Sequence, residues 1–138
     1  MFVLQNAYSN EYLSASNSNP VQQIASTPTD SSLWFTYDTI SMRITSWYSG
    51  LCLDDSNNGY SSVSYTTDTL AFTTCGSSPT QQFVFQPDTS YLLNPNNPYY
   101  KCLDGNYAYP AIYLWYCPDG YANHQWIIIL VCSPGELS

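Results

Sequence analysis

Positive charge is what this sequence most lacks. Arg43 and Lys101 are its only cations besides a single histidine, His124, set against ten carboxylates, and the formal net charge is −8 over 138 residues. No basic patch can be assembled from that supply. Nucleic-acid binding through phosphate neutralisation is therefore excluded, and so is charge-driven adhesion to anionic membranes. With one histidine, a Ser-His-Asp or Cys-His device would have to use His124, and no Gly-x-Ser-x-Gly nucleophile motif occurs. A glycosidase needs two facing carboxylates; Asp54 and Asp55 are adjacent, and on a strand they would point to opposite faces. No enzymatic role is expected.

Other absences narrow the field further. The longest apolar run, Trp126 to Cys132, is far shorter than the ~20 residues of a membrane-spanning helix. The opening MFVLQNAYSN has no basic n-region and turns polar by Gln5, so no signal peptide is expected. There is no Asn-x-Ser/Thr sequon. None of the five cysteines forms a Cys-x-x-Cys pair, which makes a zinc cage improbable beside one histidine. No stretch of ten or more residues holds a helical period.

What is present is aromatic and hydroxyl-rich. Aromatics make up 17% of the chain, with fourteen tyrosines, and the polarity comes from Ser, Thr, Asn, Gln and Tyr. That is the make-up of a β-rich protein rather than a disordered acidic one. Short strand-like runs recur between turn signals. They are expected at 2–6, 12–15, 21–26, 33–38, 42–46, 51–54, 70–74, 82–85, 91–93, 101–103, 112–116 and 125–131, with a further strand at Val63-Ser64-Tyr65 inside an Asn/Gly/Ser/Thr-rich loop.

The runs fall into three units. Tyr12-Leu13, Cys52-Leu53-Asp54 and Cys102-Leu103-Asp104 occupy one slot. Ile24-Ala25-Ser26, Thr73-Thr74-Cys75 and Trp115-Tyr116-Cys117 occupy a second, and Leu33-Trp34-Phe35, Gln81-Gln82-Phe83 and His124-Gln125-Trp126 a third. Leu13 to Leu53 is 40 residues and Leu53 to Leu103 is 50, a period that signals a repeat architecture. Repeats of about 2–41, 42–90 and 91–131, with a loose tail 132–138, would make one domain of residues 1–138. Four short strands per unit give twelve. Each unit is too small to bury its own apolar face, so the three must share one core, and a closed barrel capped by hairpins removes the sheet edges. If the units repeat, the natural disulfides are Cys52–Cys75 and Cys102–Cys117, which implies an oxidising, secreted or extracellular setting. Cys132 is left over, either as a buried or tail thiol or as an intermolecular bridge.

The third unit carries chemistry. A carboxylate that accepts hydroxyl hydrogen bonds, a flat ring that stacks and an amide that both donates and accepts outline a sugar site. Cys-Leu-Asp, then an aromatic run ending in Cys, then Asn-His-Gln-Trp, resembles one repeat of the ricin-type β-trefoil lectins. The third unit matches that pattern strongly, the second partly and the first weakly.

The resemblance implies an all-β trefoil of twelve strands in three pseudo-symmetric repeats, with one disulfide inside each cysteine-bearing repeat. It places the sugar-binding aspartate on Asp104, the stacking aromatic on Trp115 and the amide ligand on Asn123. The family's preference is for galactose and N-acetylgalactosamine on glycans or glycoproteins, with no metal or other cofactor. Two positions depart from its pattern. His124 replaces the Gln of Gln-x-Trp, which suggests a pH-sensitive affinity, and Tyr113 stands two residues before the stacking Trp, where it would enlarge or alter the contact face.

The second unit keeps Asp54 but has Thr73 and Thr80 where the ring and the amide would be, so Asp54 is at most a weak second site; Tyr65 could supply a substitute ring. The first unit, with Ser14 and Ile24 in those slots, reads as scaffold. One good site per chain binds weakly, which points to a homodimer, through Cys132, or to a partner domain. The competing reading is a trefoil protease inhibitor or protein-binding module acting through an exposed loop such as Asn94–Tyr100.

Overall fold

The structure is a computed structural model and describes residues 1–19, 21–55, 68–98, 101–105, 112–117 and 121–132. The proposed strand at 63–65, the Tyr65 ring, Tyr100 and the tail beyond 132 lie outside these residues.

Among the described residues thirteen strands run in the order β1 (Phe2–Asn6), β2 (Tyr12–Ser14), β3 (Gln22–Ile24), β4 (Phe35–Asp38), β5 (Arg43–Ser46), β6 (Cys52–Asp54), β7 (Asp68–Thr69), β8 (Ala71–Thr73), β9 (Val84–Gln86), β10 (Tyr91–Leu93), β11 (Lys101–Asp104), β12 (Tyr113–Tyr116) and β13 (Trp126–Leu130). Twelve are those expected, and β7 is an addition of two residues that pairs with β12. The described residues contain no α-helix, and no helix is long and apolar enough to cross a membrane.

The topology is a trefoil. β1 pairs with β13 and with β4, β4 with β5, and β9 with β10, all antiparallel. Backbone bonds from Phe83 N to Met42 O (2.8 Å) and from Trp126 N to Ser90 O (2.9 Å) join these pairs into a six-stranded barrel. Three hairpins, β2–β3, β6–β8 and β11–β12, cap one end. Where they meet, Val21 N donates to Leu70 O (3.3 Å) and Ile112 N to Val21 O (2.8 Å), two edges of a triangle about the pseudo-threefold axis.

The core repeats in threes. Leu4, Ile44 and Leu92 form one layer, Phe35, Phe83 and Trp126 a second, and Leu13, Leu53 and Leu103 a third, all buried in one cluster. Side-chain alternation along each strand puts these positions on the inner face.

Two expectations change. Leu33, expected to begin a strand, ends a 3₁₀ turn, Ser31–Leu33, and matching turns, Pro79–Gln81 and Ala122–His124, precede the other two second-layer aromatics. In the first two, Asp30 and Ser78 fix the turn by accepting from the backbone N–H of Ser32 and Thr80, which draws the chain out of extended geometry. Met42, read as the start of a strand, has φ +59°, and its counterpart Ser90 has φ +62°. Both close the hairpins in front of β5 and β10 by donating to Asp38 O and Gln86 O.

Candidate functional site

The β11–β12 hairpin builds the site. Asp104 is opposite Tyr113, and Cys102 opposite Trp115, so all four share one face, while Leu103 and Leu114 turn the other way into the core. Tyr113 and Trp115 are half-buried, and the Asp104 side chain keeps 12% of its surface open. A carboxylate at the edge of solvent therefore stands beside two aromatic side chains.

The 3₁₀ turn Ala122–His124 holds that carboxylate from behind. Asn123 Nδ2 donates to Asp104 Oδ1 at 2.8 Å, and His124 Nε2 lies 3.2 Å from Oδ2. An ionised carboxylate only accepts, so the ring hydrogen belongs on Nε2. Two of the roughly four lone-pair directions of the carboxylate are thereby used. Asn123 and His124 are buried, and Tyr91 meets the imidazole edge-on with ring centroids 6.5 Å apart. Trp126 lies in the core, where its Nε1 donates to Leu103 O at 3.0 Å and ties the turn to the hairpin. The structure thus brings Asp104, Tyr113, Trp115, Asn123 and His124 together.

The second repeat explains the histidine. There Gln81 occupies the slot of His124, and its Nε2 donates to Asp54 Oδ2 at 3.1 Å. His124 offers a ring N–H to the same carboxylate oxygen of Asp104. The substitution keeps the donor. In this repeat Thr73, in place of Trp115, adds its own hydroxyl to Asp54 Oδ2 at 2.6 Å. Asp54 is buried, and this oxygen is taken by the protein itself. In the first repeat Ser14 is fully buried and shares a hydrogen bond with Ser16 at 2.8 Å.

The two expected disulfides, Cys52–Cys75 and Cys102–Cys117, are formed, and Cys132 is free and exposed. Cys102–Cys117 pins the end of β12 beside Trp115. The loop offered as an inhibitor-like segment is tied down over its described part: Asn94 and Asn97 are buried, Asn94 Nδ2 donates to Pro79 O (3.2 Å) and Asn97 Nδ2 to Asp55 Oδ2 (3.4 Å). Among the described residues no cluster of three or more His, Cys, Asp or Glu side chains could hold a metal ion.

Two supporting residues escaped the sequence reading. Gly105 N donates to Asn123 O at 2.8 Å, and Asn6 Nδ2 donates to the same oxygen at 2.9 Å. A Cβ on Gly105 would come within 2.3 Å of Asn6 Nδ2, so any other residue here displaces the Asn6 amide. The sequence does hold a trace of this, since Asn94 fills the slot of Asn6 in the third repeat and likewise caps its turn by accepting from Asn96 N.

The profile of the ricin-type beta-trefoil lectin domain matches residues 2–126. The chain belongs to this family of carbohydrate-binding modules. No curated protein sequence matches it. Among solved structures, the lectin domain is similar to the designed 3-fold symmetric protein ThreeFoil (TM-score 0.76, 18% identity, covering 94% of this chain and 98% of that one). It is similar also to a non-toxic homologue of type II RIPs from Momordica charantia (bitter gourd) in complex with α-methyl-D-galactoside (0.74, 17%, 94% and 47%). A third is a GlcNAcα1-4Gal-releasing endo-β-galactosidase from Clostridium perfringens (0.73, 14%, 94% and 32%). At these identities the likeness is one of fold, and this lectin domain spans about half and about a third of the last two chains.

Proposed function

We propose that this lectin domain binds terminal galactose or N-acetylgalactosamine on glycans or glycoproteins through its third repeat. One observation carries the reading. The Asp104 carboxylate is held from behind by Asn123 and His124 and reaches the surface beside Trp115 and Tyr113. Its remaining lone pairs suit two neighbouring hydroxyls, with charge assistance making these the strongest contacts. Trp115 suits the apolar face of a pyranose, where ring C–H bonds point one way, and Tyr113 extends that face. An axial hydroxyl leaves one sugar face clear for stacking, which favours the galacto configuration, and a pocket built to hydrogen-bond that hydroxyl rejects the epimer lacking it there.

Binding is direct, without metal or other cofactor, and without catalysis. Asp54 is a weaker second site at most, because Thr73 and Gln81 already occupy its Oδ2. Two disulfides fit an oxidising, extracellular setting. The exposed Cys132 gives a route to a dimer that would raise avidity.

Calorimetric titration with galactose, N-acetylgalactosamine, glucose and mannose tests the reading, with Asp104→Asn and Trp115→Ala alongside. Galacto-selective binding lost in both variants is expected. Binding that survives both moves the site elsewhere, and a folded chain that binds none of the four sugars brings the protein-binding alternative forward.

A further inference from the structure

The barrel end away from the hairpins is hollow. A cavity of about 380 Å³ opens there, floored by Leu4, Ile44 and Leu92, one from each repeat. Tyr37, Phe85 and Ile128, again one from each repeat, stand in its wall, each two residues beyond a second-layer aromatic.

The hollow follows from how the repeats differ in this outermost layer. Ile128 puts a short branched chain where the other two repeats have rings. Ser90 stands where the first repeat has Phe2, each two residues before its floor residue. Tyr37 donates its hydroxyl to Phe83 O at 2.6 Å, which ties its ring to the wall. Missing rings leave the end open between its wall residues, Tyr37 and Ile128, while the floor stays buried.

The chemistry of the lining is selective. Among the described lining residues the tyrosine hydroxyl is the one polar side-chain group and none carries a charge, and Ile128 remains 40% exposed. A cavity of ~150 Å³ holds benzene, and small-molecule sites begin near ~300 Å³. Asp38, next to Tyr37, faces Arg43 across the β4–β5 hairpin, so these two charges offset one another, and a buried anionic head group would find no charged partner in the described lining.

We propose that the open end of the barrel binds one uncharged apolar molecule, the size of a two-ring aromatic or a medium alkyl chain. This site shares no residue with the glycan site and does not depend on it.

The test is a fluorescence titration of the full chain with N-phenyl-1-naphthylamine, a neutral apolar probe. Saturable binding of one probe per chain is expected, displaced by decanol, at least tenfold less well by decanoate at pH 8, and not by galactose. Ile128→Phe, which restores the ring found in the second repeat, should weaken binding about tenfold, and Ile128→Trp should abolish it. Ile127→Ser, on the outer face, should leave it unchanged. Thermal unfolding and near-UV circular dichroism identify which of the two Ile128 variants are folded. Non-saturable uptake, or wild-type affinity in a folded Ile128 variant, overturns the proposal. So does a chain that takes up no probe, including one that self-associates with concentration through this end.

Discussion

Asn6 donates its side-chain amide to the carbonyl of Asn123 at 2.9 Å, across 117 positions of sequence. The first repeat thereby fixes the turn that holds the aspartate of the third. Asn6 is fully buried, and its Oδ1 also accepts from Tyr8 N (3.0 Å) and Ser9 N (3.1 Å). A repeat with Ser14 and Ile24 in place of the binding aspartate and stacking ring still shapes the site.

Replacing Asn6 with Ala removes all three bonds and leaves the buried Asn123 carbonyl to the Gly105 N–H. A stability loss of about 2 kcal/mol is expected, at roughly 0.5–1.5 kcal/mol net for each hydrogen bond lost. Sugar affinity at the third repeat should fall with it, since Asn123 loses a restraint. Asn6→Ser should recover part of the stability, because Ser46 caps the equivalent turn by accepting from Ser49 N. Denaturant unfolding and sugar titration of the two variants check this.

Gly105→Ala forces a Cβ against Asn6 at 2.3 Å from Nδ2. Overpacking of this kind costs about 1–3 kcal/mol. Combined with Asn6→Ala, which removes the clashing amide and leaves the contact with Gln23 Oε1 at 2.9 Å, the alanine should cost less than it does alone. A double-mutant cycle reads that coupling directly. Strict additivity would mean that the two groups do not meet.

The trefoil was legible because its signals repeat. Leu13, Leu53 and Leu103 sit in matching strings, as do Phe35, Phe83 and Trp126, and recurrence turns weak motifs into one architecture. The cysteine pairing followed from the same recurrence. The grouping of Asp104, Trp115, Asn123 and His124 was also readable, since one hairpin and one turn hold all four. What the sequence hid was non-local. Asn6 reaches Asn123 only once the barrel closes, and Gly105 is constrained by a side chain from the first repeat. The 3₁₀ turns were missed because alternating apolar residues such as Leu33 and Phe35 look like a strand, while the cap on Asp30 wins locally. His124 read as a departure from the family pattern, and only the geometry of Gln81 reveals that it supplies the same donor.

Removing Cys102–Cys117 by paired alanines should cost stability and affinity together. The bridge spans 15 residues and Cys52–Cys75 spans 23, so each closes a loop worth about 3 kcal/mol in the chain-entropy account. The two losses should be similar in unfolding experiments. They should differ in sugar titration, because only Cys102–Cys117 anchors the strand that carries Trp115. Equal affinity in both variants would place the glycan site away from the third repeat.

Asp30 supplies a pH-dependent increment. The Ser32 hydroxyl, first among its partners, holds the carboxyl below its ordinary value of 3.8, with the Ser32 N–H and the Ser26 hydroxyl adding to the effect against some burial. A carboxyl depressed in the folded state contributes stability above the unfolded value and loses it as pH falls through the folded one. Asp30→Ala should therefore cost about 1 kcal/mol at pH 7, as a lost helix-type cap does. The difference from wild type should shrink below pH 3.8, which unfolding curves at pH 7 and near pH 3 would record.

His124 is expected to give the site a response to acid that a glutamine would not. Its Nε2–H serves Asp104 in the neutral ring. Histidine is the side chain that ordinarily gains charge between pH 5 and 8. An imidazolium at 3.2 Å would draw the carboxylate's charge toward itself and leave Asp104 a poorer acceptor for sugar hydroxyls. Sugar affinity should accordingly fall as pH drops from 8 to 5. His124→Gln, which installs the donor that Gln81 uses beside Asp54, should bind within about threefold of wild type at pH 8 and show a much flatter profile. His124→Ala should lose affinity at every pH, because Asp104 Oδ2 then lacks its protein donor. Titrations of the three proteins at four pH values separate donor from switch. A flat wild-type profile would leave His124 as a donor only, and a sloping profile retained in His124→Gln would assign the response to another group.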